Sequence, residues 1–209
     1  MKYENFDGPV EELVLMKIRE IEEKENIRVL HVIESGSRAW GFASPDSDYD
    51  VRFIYVRNKD FYLSLRENKD FIDWELNEIL DINGWDLKKA LQHFHKSNAT
   101  LFEWSNSPVV YYTTDEWKQI YAVASKYFAC KSALYHYYGT ANKNYHEYLC
   151  EEMVKYKKYF YVLRPILACK WIEEKLVYYK EMVDSMADDR NPDWNPLEGV
   201  FSRMVVDTL

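Results

Sequence analysis

The most informative segment of the chain is ESGSRAWGFASPDSDYDVRFIY, residues 34–55. In it Gly36 and Ser37 follow a short β-branched run, and after ten further residues Asp48 and Asp50 open a second apolar run. Glycine lets backbone amides approach a phosphate, because no side chain stands in the way. Side chains alternate along a strand, so we expect Asp48 and Asp50 on the same face.

This arrangement predicts a site for a nucleoside triphosphate and Mg²⁺. Ser37 and Arg38 can donate hydrogen bonds to phosphate oxygens. The carboxylates of Asp48 and Asp50 can share Mg²⁺, which requires oxygen ligands, and Mn²⁺ could take its place. Two ions held in this way would activate an attacking hydroxyl and stabilise a pyrophosphate leaving group. A Gly-Ser pair or an Asp-x-Asp alone is usually a solvated turn, so the prediction depends on their occurring together between two strands.

Two longer strings resemble a known family. Gly36-Ser37, ten residues and Asp48-Tyr49-Asp50 resemble the signature of the polymerase β-type nucleotidyltransferases. The strings GSRAWGF at 36–42 and NGWDLKKAL at 83–91 resemble its YcgL-like branch, also described as RNA-ligase-associated. The resemblance implies a polymerase β-like fold, a nucleoside triphosphate substrate, and an RNA end or an RNA ligase as a partner in RNA repair.

Members of this superfamily usually carry a third carboxylate on a later strand, and it faces the first two. Asp81 is the predicted third ligand, because apolar neighbours place it on a strand. Asp86 is the alternative, although it precedes a helical run and would there be an ordinary helix cap. Asp73 and Glu75 are weaker candidates.

The resemblance also reaches KKYFYVLRP at residues 157–165. Lys157, Tyr161 and Arg164 are spaced by four and three residues, which places them on one face of a helix. By resemblance, Lys157 would contact phosphates, Tyr161 would stack on a base, and Arg164 would contact either. A solvated basic face is the alternative for each residue.

The pattern of apolar residues predicts an α/β (α+β) fold with a mixed sheet, followed by a helical C-terminal region. We expect a catalytic domain at residues 1–114 and a helical domain that completes the nucleotide cleft at 115–209. The predicted elements are a helix at 9–25, strands at 29–33, 49–56 and 77–83, and a helix at 85–96.

The second half of the chain is predicted to contain a long helix with a core-facing apolar stripe. Pro165 interrupts this helix and removes a backbone donor, so a kink is expected near Tyr161. Residues 188–209 are poorly periodic and are expected to pack loosely. The stripe consists of Leu149, Met153, Tyr156, Phe160, Leu163, Leu167 and Trp171.

Composition excludes several classes of protein. The net charge is −8, and the acid surplus lies in residues 1–114, with 21 acidic against 14 basic side chains. This argues against a surface that coats nucleic acid nonspecifically. No apolar run is long enough to span a membrane, and the acidic N-terminus does not resemble a signal peptide. Three dispersed cysteines suggest a reduced, cytoplasmic setting.

Two other functions remain compatible with the sequence. The acceptor could be a protein side chain, as in antitoxin-like members of the superfamily that nucleotidylylate proteins. The chain could also be a catalytically silent subunit that binds nucleotide or RNA beside a ligase. The two carboxylates at Asp48 and Asp50 favour an active transferase, because a silent protein would not need them.

Overall fold

The computed structural model describes residues 2–3, 6–45, 47–76, 79–178 and 193–206. Its strands are β1 Lys2–Tyr3, β2 Phe6–Asp7, β3 Arg28–Glu34, β4 Tyr49–Val56, β5 Phe71–Leu76, β6 Leu80–Asp86 and β7 Val110–Thr113. Its helices are α1 Val10–Glu25, α2 Gly36–Ala39, α3 Lys59–Leu63, α4 Leu87–His95, α5 Ala99–Ser105, α6 Asp115–Ala124, α7 Cys130–Tyr148, α8 Tyr156–Tyr178 and α9 Asn195–Val206, with a 3₁₀ turn at Ser125–Tyr127.

A five-stranded mixed sheet forms the centre of the fold, in the order β5-β6-β4-β3-β7. Strand β4 pairs antiparallel with β3 and parallel with β6, while β5 and β7 close the two edges antiparallel to their neighbours. The expected mixed α/β fold with a helical C-terminal region is therefore confirmed. A separate two-stranded ribbon joins β1 and β2.

Each face of the sheet carries its own core. On one face, the odd-numbered apolar positions of β4 belong to the same core as the buried residues of α1, which are Leu13, Val14, Ile18 and Ile21. On the other face, Ile54 and Val56 of β4 pack with apolar residues of α4, α5, α6 and α9. The alternation along β4 therefore separates two helical layers, as the period of a strand requires.

The predicted elements of the first half agree well with the structure. The first helix begins one residue later than expected, because Pro9 is its N-cap, and the strand expected at 49–56 has those bounds. The strand expected at 77–83 begins at Leu80 and continues to Asp86, and residues 77 and 78 lie outside the described part. Strand β5 was not expected.

The predicted apolar stripe on the long helix does not face the core. Met153 is 90% exposed, Tyr156 is 88% exposed and Trp171 is 60% exposed. The inward side of α8 carries instead the buried Val162 and Ile172. The prediction was wrong because α8 packs on α7 with a different side from the one that carries the stripe.

Pro165 lies inside α8 and removes the amide that would bond the carbonyl of Tyr161. That carbonyl instead accepts a hydrogen bond of 2.9 Å from the Asn144 side-chain amide on α7. A side chain of the neighbouring helix thus satisfies the acceptor that proline leaves open.

The prediction of a loosely packed tail is wrong for the part of residues 188–209 that the structure describes. Helix α9 buries Leu197, Val200 and Met204 in the same core as α4 and α6. These residues are spaced by three and four positions, which is the ordinary signal of an amphipathic helix. Among the described helices, none combines the length and apolarity that crossing a membrane demands.

The orientation of α8 can be tested with two neighbouring substitutions. Val162→Ala should lower the free energy of unfolding by roughly 2 kcal/mol, because it removes two buried methyl groups and leaves a cavity. Leu167→Ala should change it by less than about 0.5 kcal/mol, because this side chain is 62% exposed. Urea unfolding of both variants measures the difference. Equal losses would contradict the observed orientation.

Candidate active site

Asp50 and Asp81 lie side by side on neighbouring strands. They are Cα partners in the parallel pairing of β4 with β6, so both side chains leave the same face of the sheet. Both carboxylates contact one guanidinium, that of Arg52, with distances of 3.1 Å to Asp50 and 2.7 Å to Asp81. Asp81, the predicted third carboxylate, thus lies next to Asp50.

Asp48 completes the predicted carboxylate set from a different position. It precedes β4 and is exposed. Burial raises the pKa of the Asp50 carboxyl, the Arg52 charge opposes this, and the charges of Asp48 and Asp81 raise it further. The site therefore concentrates negative charge, which favours a cation.

The donor set fits a hard divalent ion, although the ligands are not gathered around one point. Within residues 2–178 and 193–206, as far as they are described, no three His, Cys, Asp or Glu side chains are close enough together to hold a metal ion. Asp50 and Asp81 nevertheless share a cationic partner in Arg52, and carboxylate oxygens are the ligands that Mg²⁺ prefers. An ion could use this pair, and Asp48 would have to approach it.

Gly36 is required for a reason that the sequence did not reveal. Its φ is +58°, and a Cβ atom at this position would lie 1.9 Å from Oδ2 of Asp50. The amide of the preceding Ser35 donates to the carbonyl of Asp50 at 2.8 Å. Glycine therefore makes room for the Asp50 carboxylate as well as for the backbone turn.

Ser37 and Arg38 hold the loop that precedes β4. The Ser37 hydroxyl is buried and donates to the Ser47 hydroxyl at 3.3 Å. The Arg38 guanidinium donates to the carbonyls of Ser47 and Asp48 at 2.5 and 3.0 Å, and it lies 3.8 Å from the centre of the Tyr49 ring. Both side chains thus position Asp48, and their predicted role toward phosphate remains a prediction.

Helix α8 places Lys157 and Tyr161 beside the segment that carries Asp48 and Asp50. The Lys157 ammonium donates to the Ser47 hydroxyl at 2.9 Å, and its charge opposes the rise in the pKa of Asp50 that burial causes. The Tyr161 ring meets Phe42 edge-on at 5.8 Å, and burial together with the nearby Asp48 and Asp50 raises its pKa. Two of the three residues of the predicted helix face therefore adjoin the carboxylates.

Arg164 lies in a separate cleft of about 270 Å³. Its guanidinium lies 3.6 Å from the centre of the Trp40 ring and forms an ion pair with Glu103, which also accepts from the Tyr137 hydroxyl. Ser35, directly before Gly36, is one of the residues that line this cleft. The volume is close to the lower end for ligand pockets, roughly 300 Å³.

Glu34 is a buried carboxylate that the sequence did not identify as important. It is 1% exposed, accepts the Asp50 amide at 2.8 Å and accepts the Tyr111 hydroxyl at 2.6 Å. Burial raises its pKa. Glu34 ends β3 directly before the glycine turn, and this position between a buried strand and the motif was the available signal.

The alternative third carboxylate, Asp86, is a helix cap. Its side chain accepts from the amide of Lys88, and its other oxygen accepts from the Tyr62 hydroxyl, both at 2.8 Å. Asp73, a weaker candidate, is exposed on the edge strand and bonded to Asn83. The side chain of Glu75, the other weak candidate, lies outside the described residues.

We expect Gly36→Ala to disturb the carboxylate site and Gly41→Ala to spare it. Both glycines have positive φ, so each alanine costs about 1–2 kcal/mol of stability. Only at Gly36 does the added methyl meet Asp50, since nothing lies within 4 Å of the corresponding position at Gly41. Mn²⁺ titrations and thermal unfolding of both variants separate the two effects. Equal Mn²⁺ affinities would contradict the crowding of Asp50.

A second prediction concerns pH and Asp86. Burial raises its pKa from 3.8 to about 6, so the folded chain binds more protons than the unfolded chain between these values. Its contribution to stability is complete below pH 3.8 and is lost as pH rises toward 6. Relative to Asp86→Asn, the free energy of unfolding of the wild type should fall over this range by up to roughly 3 kcal/mol. Denaturant unfolding of both proteins at pH 4, 5 and 6 without metal tests this. If the wild type instead gained stability relative to Asp86→Asn as the pH rises, the prediction would be refuted.

Comparison with known proteins identifies a family that this chain matches. The sequence model of the family RlaP, described as "RNA repair pathway DNA polymerase beta family", matches residues 10–197. The chain is also 47% identical over 164 residues to the uncharacterized protein YcgL of Bacillus subtilis. This match covers 77% of the chain and 62% of the relative, so the chain spans about three fifths of that protein's length.

Proposed function

We propose that this protein, which belongs to the RNA repair pathway DNA polymerase β family, transfers a nucleoside monophosphate from a nucleoside triphosphate to an RNA-end hydroxyl. The observation that carries the proposal is the Asp50–Asp81 pair on adjacent parallel strands, directly beside the Gly36 turn. Paired carboxylates next to a glycine turn are among the groups that metal-assisted phosphoryl transfer requires.

In the proposed reaction the oxygen of the acceptor hydroxyl forms a bond to the α-phosphorus. At the same time the bond breaks between the α-phosphorus and the oxygen that bridges it to the β-phosphorus. The hydroxyl loses its proton to solvent or to a nearby carboxylate, and pyrophosphate leaves. Bound Mg²⁺ would supply positive charge at the attacking and leaving oxygens. Asp48, Asp50 and Asp81 would hold the ions, which is the assignment that the sequence predicts.

The nucleotide would lie between the Gly36 turn and α8. Lys157 is next to Asp50 and can supply charge to the triphosphate after leaving Ser47. Tyr161 and Phe42 present aromatic rings near Asp48, where a base can stack. Arg164 lies in the Trp40 cleft, where its flat guanidinium could contact the base or sugar.

The proposed acceptor follows from the family. The description of the family names an RNA repair pathway. An RNA ligase is therefore a suitable partner. The net charge of −8 suits binding of a defined end better than coating of a long strand. The terminus of an RNA strand presents the free hydroxyl that this reaction consumes.

The experiment that tests the proposal follows the fate of label. The protein is incubated with each α-³²P nucleoside triphosphate, Mg²⁺ and RNAs bearing defined ends, and the products are separated on denaturing RNA and protein gels. Label on RNA that depends on a free terminal hydroxyl supports the proposal. Label on protein would instead show nucleotidylylation, and nucleotide binding without any transfer would show a silent subunit.

The same assay tests the carboxylates individually. Asp48→Asn, Asp50→Asn and Asp81→Asn should each lower transfer by about 100-fold or more, because each removes charge from a metal ligand. The matched control is Asp73→Asn, which changes an exposed carboxylate on the same face of the sheet and should keep activity. Thermal unfolding confirms that the variants fold. Near-wild-type transfer by Asp81→Asn, together with loss in Asp86→Asn, would move the third ligand to residue 86.

A further inference from the structure

Arg52 occupies the space between the two paired carboxylates. It follows Asp50 by two residues on β4 and therefore projects from the same face of the sheet. One nitrogen, Nη2, lies 3.1 Å from Oδ1 of Asp50 and 2.7 Å from Oδ2 of Asp81. A single positive group therefore bridges the two oxygens that face each other across the strands.

The backbone aims this guanidinium. Its second nitrogen, Nη1, donates to the carbonyls of Val51 and Asp81, both at 3.0 Å. The Arg52 side chain is only 16% exposed. Because the carbonyls are neutral, these two bonds orient the guanidinium without taking part in the charge pairing.

We propose that Arg52 is the internal counter-cation of the Asp50–Asp81 pair, and that a divalent ion must displace it from at least one carboxylate. The inference rests on the proposed function only in taking this pair as metal ligands. Arg52 thereby holds the two carboxylates in place before the ion binds and sets the affinity of the site for the ion. It is a positioning residue, since it acts on the reaction through the carboxylates.

Electrostatics requires this competition. Two neighbouring carboxylates repel one another, and the Arg52 charge relieves the repulsion as a metal ion would. A divalent ion would use the same oxygens and would be repelled by a guanidinium within a few ångströms of them. The metal-free site is therefore stabilised at the expense of metal affinity.

The test compares Arg52→Gln with Arg57→Gln. Arg57 is a matched control because it follows the same strand, is 14% exposed and pairs with Glu25 through a carboxylate at 3.1 Å and a carbonyl at 2.8 Å. Mn²⁺ is titrated into nucleotide-free protein, and the free ion is measured by electron paramagnetic resonance. Melting temperatures are measured in chelator and in saturating Mn²⁺.

Arg52→Gln should bind Mn²⁺ with an affinity about tenfold higher than the wild type, since charged hydrogen bonds of this kind no longer compete. It should melt lower than the wild type in chelator and gain more from Mn²⁺. Arg57→Gln should also melt lower, but its Mn²⁺ affinity and its gain from Mn²⁺ should equal those of the wild type.

An unchanged or weaker Mn²⁺ affinity in Arg52→Gln, with the same loss of melting temperature in chelator and in Mn²⁺, would overturn the proposal. Arg52→Lys decides the question if the glutamine variant does not fold. Lysine keeps the charge but cannot bond all four acceptors at once, so an affinity at least about threefold above wild type supports the proposal and an equal one overturns it.

Asp81→Asn separates this inference from the proposed function. Mn²⁺ binding that Asp81→Asn weakens and Arg52→Gln leaves unchanged would overturn the role of Arg52 alone. If neither the wild type nor Arg52→Gln binds Mn²⁺, both the metal site and the role of Arg52 fall. Binding that appears only in Arg52→Gln would support the competition directly.

Discussion

The parallel pairing of β4 with β6 places two carboxylates at neighbouring positions on one face of the sheet, and the rest of the site depends on this repulsive contact. Asp50 and Asp81 are direct partners in the pairing. A shift of the register by one residue would turn one of them to the opposite face, into the core beneath α1. The apolar neighbours Val51 and Ile82, which are buried on that opposite face, oppose such a shift. Core packing therefore fixes a charge arrangement that would be unfavourable on its own.

The main chain of Asp50 is hydrogen-bonded through both its amide and its carbonyl. Its amide donates to the Glu34 carboxylate, and its carbonyl accepts from the Ser35 amide. A buried carboxylate such as Glu34 is costly unless its oxygens are hydrogen-bonded, and the Tyr111 hydroxyl of β7 supplies the second bond. The edge strand β7 thus contributes to the site through Tyr111, which holds the Glu34 carboxylate.

The sequence was sufficient for several elements of the first half, whose apolar residues alternate or repeat. Strand β4 and helix α1 were predicted within one residue, because each buries one regular face. Strand β5, FIDWEL, was missed although Ile72, Trp74 and Leu76 alternate with two charged residues, which is an ordinary strand pattern. Helix α9 was missed although Leu197, Val200 and Met204 carry ordinary helical spacing.

The candidate site was predictable in its residues more than in their contacts. The motif identified Asp48, Asp50 and Gly36, and the apolar neighbours of Asp81 placed it on the correct strand. Arg52 was overlooked, although the same two-residue period that aligns Asp48 with Asp50 also aligns Arg52 with them. Contacts such as that of Glu34 with Tyr111 join residues 77 positions apart, and no local pattern reports them.

Helix α8 shows why apolar spacing alone can mislead about the face that a helix turns inward. Most of the stripe is exposed, while Lys157 and Arg164 contact Ser47 and Glu103. A helix that lies beside a cluster of carboxylates gains more from presenting cations to it than from presenting leucines, because unpaired buried charge is costly. Flat contacts between rings, such as Phe42 on Phe160 at 5.3 Å, supply part of the apolar packing. The charge of the surface that a helix covers therefore determines its orientation as much as its own pattern does.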